Sequence, residues 1–262
     1  MRYFLSAVLI IVLCGVGVFF FAQKFYRSWE RAIDAKVQST MLEIEAESRG
    51  QAKKLAEAKE ASLLFVGDIM LSRGVAYYTE KSGGDPRYPF LNVADELRAA
   101  DLAFGNLEGP ISERGKNQGS EYSFRAEPRM AESLTFTGFD VLSLANNHIM
   151  DWGGDALADT VVRLRANGIE PIGAGENYEE ANRAYIADVK GTKIAFLAYT
   201  TLYPKSFSAK GARLPDGQGS ASGGEAKNFP GVSSFELSRT AQEIRDLKES
   251  GAADVVVISF HW

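Results

Sequence analysis

Five short apolar runs alternate with stretches of helical spacing, and that alternation limits the fold of this chain more than any other property. The runs are Ser62–Val66, Asp101–Phe104, Val141–Ala145, Lys193–Ala198 and Asp254–Phe260. Between them lie helical patterns at Phe90–Ala100, Pro128–Thr137, Gly154–Asn167 and Ser234–Glu249. Apolar runs of this length suit buried strands. Strands taken in turn with helices predict an α/β fold. Gly168–Gly175 reads as a further short strand followed by a turn, and Leu214–Gly231, rich in Gly, Ser, Asp and Pro, as a mobile surface loop.

Four of the runs end in polar side chains. The first passes through Gly67 to Asp68; the second finishes in Asn106 and Glu108. The third leads into Asn146, Asn147, His148 and Asp151, and the last into His261. Polar groups at the end of a hydrophobic strand are costly unless partnered or used. In α/β folds the C-terminal strand ends are where binding sites are built. Both histidines of the chain stand at such ends. Carboxylates, carboxamides and imidazoles together suit a hard or borderline divalent ion such as Mn, Fe, Zn or Mg.

Composition narrows the setting. The net charge is −5, which argues against a nucleic-acid partner. Cys14 is the one cysteine, so no intrachain disulfide is available. Phe4–Ala22 is 19 residues without a charge, long enough for a transmembrane helix. Phe19-Phe-Phe-Ala22 is a poor cleavage site, so residues 1–27 read as an uncleaved signal anchor. Lys24, Arg27 and Arg31 follow the anchor, and the positive-inside rule alone leans towards a cytoplasmic domain. Residues 28–60 read as a helical stalk, with Trp29, Ile33, Val37, Met41 and Ile44 at helical spacing. Residues 61–262 form the globular domain.

Gly67-Asp-Ile-Met70, Gly105-Asn-Leu-Glu108, Ala145-Asn-Asn-His-x-x-Asp151, Gly173-Ala-Gly175, Ile194-Ala-Phe-Leu-Ala-Tyr-Thr200 and Ser259-Phe-His-Trp262 follow one another along that domain. In residues and in order they resemble the CapA family of poly-γ-glutamate capsule biosynthesis proteins. The resemblance places the chain in the calcineurin-like metallophosphoesterase superfamily. It implies a sandwich of two mixed sheets flanked by helices, with a two-metal centre. Asp68, Asn106 or Glu108, Asn147 and His261 are the implied ligands, with Glu108 favoured as the bridge because a bridge needs charge. His148 is the implied general acid, oriented by Asp151. Arg125, within Tyr122-Ser-Phe-Arg-Ala-Glu-Pro128, is the implied contact to an anionic substrate.

The same resemblance implies a membrane-anchored protein with its domain outside the cytoplasm, partnered by the capsule polymer and by other capsule-synthesis membrane proteins. Three activities are open: a metal-dependent hydrolase, a non-catalytic scaffold or polymer-binding component, and a general phosphodiesterase. Two departures bear on that choice. Met70 stands where the superfamily has a ligating histidine, and Asn106 where it has a bridging aspartate. The family pattern also continues past Trp262, which predicts that this chain is a C-terminally truncated piece.

Overall fold

A computed structural model describes residue 24 and residues 26–50, 60–203, 207–209 and 229–262. The chain divides into two units, Met1–Ala58 and Lys59–Trp262. In the first, residues 26–50 form helix α1, with Trp29, Ile33, Val37, Met41 and Ile44 all exposed. Among the described residues no helix is long and apolar enough to cross a membrane. The anchor expected at Phe4–Ala22 and most of the loop expected at Leu214–Gly231 lie outside the described residues.

The second unit is built on two sheets. Strands β1 (Leu63–Ile69), β2 (Leu102–Leu107), β3 (Val141–Ser143) and β4 (Glu170–Ile172) lie side by side in that order, all parallel. Their connections contain helices: α2 (Arg73–Lys81) and α3 (Ala94–Ala99), then α4 (Met130–Thr137), then α5 (Gly154–Ala166). A helical crossover returns the chain to the edge it left, which is what parallel pairing requires. The second sheet has β6 (Tyr185–Val189), β7 (Thr192–Thr200) and β9 (Val255–His261), with β7 central. Here β6 and β7 are antiparallel, joined by the tight turn Lys190-Gly191, in which both residues adopt positive φ. A small ladder pairs β5 (Ala174–Gly175) with β8 (Gly231–Val232), and α6 (Tyr178–Asn182) and α7 (Leu237–Glu249) complete the described elements.

Of the two mixed sheets expected, then, the four-stranded one is wholly parallel and the three-stranded one is mixed.

Side-chain alternation assembles the layers. On β2, Leu102 and Phe104 face one way and Ala103 and Leu107 the other. The first pair joins Val141, Ile194, Phe196 and Ala198 in a core between the sheets, where Phe104 and Phe196 stack with centroids 5.8 Å apart. The second pair joins Leu134, Leu157 and Leu164 in a core beneath the helices. All six residues of β2 are therefore buried. Strand β1 flanks the sheet and is largely exposed, with Phe65 50% accessible. Pairing of β1 with β2 shifts register between Phe65 and Asp68, a bulge that sets Asp68 opposite Asn106. Asn106 in turn lies opposite Ser143, and His261 opposite Thr200. The strands thus deliver their polar ends to one rim of the unit.

Candidate functional site

Asp68, Glu108 and His261 each offer a donor atom, and the three atoms lie within 4.8 Å of one another. Glu108 is the buried member, while the Asp68 side chain is 58% accessible. Burial pushes the Glu108 carboxyl upward, and the neighbouring Asp68 carboxylate adds to that; His261 and His148 pull the other way. Both imidazoles approach it, His261 Nε2 at 3.7 Å and His148 Nε2 at 3.8 Å from Glu108 Oε1. Two oxygen donors and an imidazole are the donor set of a divalent cation site.

Asn106 sits at the middle of this group. Its Nδ2 faces Asp68 Oδ1 at 2.7 Å, Glu108 Oε2 at 2.8 Å and His261 Nδ1 at 3.3 Å. Its Oδ1 is taken by a 3.1 Å hydrogen bond from Asn146 Nδ2. As placed, Asn106 turns donors inward, and three acceptors compete for two amide hydrogens. Asn146, buried to 1% accessibility, is the organiser that the sequence motif displays without revealing its task. It also donates to the Leu107 carbonyl at 2.8 Å. Its Oδ1 accepts from the backbone N–H groups of His148 and Ile149 at 3.1 and 2.8 Å. This turn hung on an asparagine side chain fixes where Asn147 and His148 project.

Asn147 Oδ1 lies 2.9 Å from His261 Nε2. One tautomer satisfies both ring nitrogens: Nε2–H donates to Asn147 and Nδ1 accepts from Asn106, leaving Nδ1 towards Asp68 at 3.7 Å. His148 holds the other flank. Its Nδ1 is 2.8 Å from Asp151 Oδ2, and Asp151 is 1% accessible. The same Oδ2 accepts from the Phe124 N–H at 2.8 Å. The Phe124 ring stacks on the His148 imidazole at 3.9 Å and 25°. The ring of His148 is thereby held by a carboxylate at one edge and an aromatic face on one side, with Nε2 directed at Glu108. Phe124 escaped the sequence reading, because one aromatic residue in an irregular segment carries no periodic signal.

Arg125 is exposed, and its guanidinium lies 3.5 Å from the centroid of the Trp152 ring. Among the described residues it makes no ion pair. The Met70 sulfur accepts from Ser72 N and Oγ at 3.3 and 3.1 Å ahead of α2. An open cavity of about 540 Å³ adjoins the rim, lined in part by Gln118, Ser120, Asn147, Asp151 and Tyr203.

A model of the bacterial capsule synthesis protein PGA_cap family matches residues 62–262. The chain belongs to that family. Among PGA_cap relatives, the PGA biosynthesis protein CapA of Bacillus subtilis is 31% identical over 204 residues, covering 77% of this chain and 48% of the relative. The capsule biosynthesis protein CapA of Bacillus anthracis is 29% identical over 215 residues, covering 80% and 48%. A probable polyglutamine synthesis accessory protein of Mycobacterium tuberculosis is 29% identical over 242 residues, covering 77% and 60%. The chain spans about half the length of the two CapA proteins it matches. The family expected from the strand-end motifs is therefore the family found. The PGA_cap match spans every residue of the rim described above.

Proposed function

We propose that this chain is a membrane-anchored accessory protein of poly-γ-glutamate capsule synthesis and export, with its globular unit outside the cytoplasm and a metal-dependent hydrolase-type centre at the strand-end rim. The observation that carries the reading is the convergence of Asp68, Glu108 and His261 beside the His148–Asp151 pair. A buried carboxyl whose ionisation is opposed by burial and by a second carboxylate suits a site that a cation neutralises. Asp68, Glu108 and His261 would hold the ion, with Asn147 Oδ1 nearby. The resemblance implies two ions; the donors gathered here account for one. A bound divalent ion would supply a Lewis acid and lower the pKa of water. His148, held through Nδ1 by Asp151, directs Nε2 at the centre and can give a proton there to a leaving oxygen or nitrogen. The two sheets with a core between them and the CapA names of two relatives fit this reading.

A second reading has an observation of its own. Met70 engages Ser72 and Asn106 points donors inward, so a ligand set of the superfamily's usual size is not assembled from these residues. That favours a polymer-binding component that uses the rim without turnover. The deciding experiment measures bound metal by elemental analysis, then hydrolysis of bis-p-nitrophenyl phosphate and of γ-linked glutamate oligomers. Wild type is compared with His148→Ala and Glu108→Gln. Stoichiometric metal lost in Glu108→Gln, with turnover lost in His148→Ala, supports the hydrolase. Absence of both metal and turnover in the wild type, with polymer still bound, selects the binding component.

A further inference from the structure

Among the described residues, two arginines beside the rim have no ion-pair or hydrogen-bond partner for their guanidinium groups. Most arginines of this unit are ion-paired, among them Arg129, Arg163 and Arg165, while Arg239 and Arg245 donate hydrogen bonds. Arg73 and Arg125 do neither with their guanidinium groups among the described residues. Each rests on aromatic rings instead. Arg73 lies 5.4 Å from the Tyr122 centroid and 5.9 Å from that of Phe124, and Arg125 lies over Trp152. Phe124 is the ring stacked on His148, and Trp152 directly follows Asp151. One cation thus reaches the ring stacked on His148, and the other rests on the residue that follows Asp151.

The backbone of Arg73 is also unusual. Among the described residues, Arg73 and Lys190 are the two non-glycine residues with positive φ, 52° and 54°. Lys190 has the hairpin turn to account for it. Arg73 opens α2 in a conformation that glycine would take more readily. Strain of this kind gathers where a side chain must be aimed. A planar guanidinium laid on a ring keeps its edge free to fork onto a carboxylate.

We propose that Arg73 and Arg125 form a two-armed clamp for a linear polycarboxylate, each arm taking one carboxylate of the chain laid past His148. Separate aromatic seats fit successive acidic groups of a polymer better than the oxygens of one compact anion. This rests on the reading of the rim as a polymer site, and adds Arg73 as a substrate-positioning residue.

The test uses the full chain in EDTA, so that binding is measured without any metal. A dye-labelled γ-linked glutamate oligomer is titrated by fluorescence anisotropy, with its α-carboxamide (isoglutamine) analogue and inorganic phosphate at equal ionic strength as competitors. Arg73→Gly should weaken binding about ten- to hundredfold, the usual range for a charge-assisted hydrogen bond, and leave Tm unchanged or raised, because glycine accepts the backbone. Arg73→Lys should recover part of the loss, and Arg125→Ala should weaken binding to a similar degree. Unchanged binding in Arg73→Gly overturns the clamp. So does competition by the α-carboxamide oligomer, or by phosphate, as strong as that of unlabelled glutamate oligomer. Failure of the hydrolase reading would appear in metal content and turnover, with this binding untouched.

Discussion

Gly173 offers a demanding test of how the rim is held. It lies between β4 and β5 with φ +78°, and a Cβ placed on it would come 2.7 Å from Ala145 Cβ, 2.8 Å from Ala198 Cβ and 3.0 Å from the Ala198 carbonyl oxygen. Neither alanine has a flexible end to swing aside, so backbone must move. Gly173→Ala should therefore incur about 1–2 kcal/mol for the left-handed backbone and about 1–3 kcal/mol for overpacking. For a unit of this size each kcal/mol lowers Tm by about 2–4 °C, which puts the expected fall at roughly 4–20 °C. Gly168→Ala is the control, because its φ is +75° and nothing lies within 4 Å of the added carbon. Thermal unfolding by circular dichroism reads both variants. The difference between them isolates crowding from backbone conformation. Ala145 immediately precedes Asn146, so the displaced backbone should also weaken metal binding at the rim. A Gly173→Ala protein no less stable than Gly168→Ala would refute the claim that these three chain segments are locked together.

Further outcomes follow from particular groups. Asp101 is held down to about 2 by the hydrogen bond from Lys190, then by the Ser62 N–H and hydroxyl, so its contribution is present above the ordinary carboxylate range and lost as pH falls towards 2. Asp101→Asn should flatten the Tm-against-pH curve between about 4 and 2; an unchanged slope would remove Asp101 from the acid response. Glu108→Gln should abolish metal retention and, in metal-free protein near neutral pH, leave Tm unchanged or higher, because it removes a buried carboxyl whose ionisation is unfavourable. A marked fall in metal-free Tm would contradict that account. Asp151→Asn should lower turnover by about 10²-fold or more, since an amide can present its NH₂ to Nδ1 and select the wrong ring tautomer; the kcat-against-pH profile is the readout, and an unaltered profile would dismiss Asp151 as orienter. Phe124→Leu should reduce turnover severalfold with little loss of metal, because the ring stacks on His148, which is not one of the three clustered donors.

The parallel layer was legible in the sequence because each of its main strands is an apolar run bounded by a turn and followed by helical spacing. Strand β6 was not. Tyr185-Ile-Ala-Asp-Val189 is short and interrupted by Asp188, and only its pairing with β7 across Lys190-Gly191 makes it a strand. Helix α2, with paired tyrosines facing solvent, is equally quiet. At the rim, residue types at strand ends named Asp68, Glu108, His148, Asp151 and His261. What they could not convey was direction. Asn106 reads as an oxygen donor in the sequence, yet Asn146 claims that oxygen and turns the nitrogen inward. A carboxamide has two unlike ends, and only the three-dimensional network decides which end faces the centre.

Strand β2, buried along its whole length, fixes Asn106 and Glu108 in place. Asp68 and His261 come instead from β1 and β9, which each pair with a single neighbour among the described strands. The rim therefore joins one strand buried along its length to two that are paired on one side only among the described strands. If an ion is held here, adjustment to its radius would fall to Asp68 and His261 rather than to the buried carboxylate. Amide exchange should report this division as slow protons on β2 and fast ones on β1 and β9 in metal-free protein, with the fast set slowing when an ion is bound.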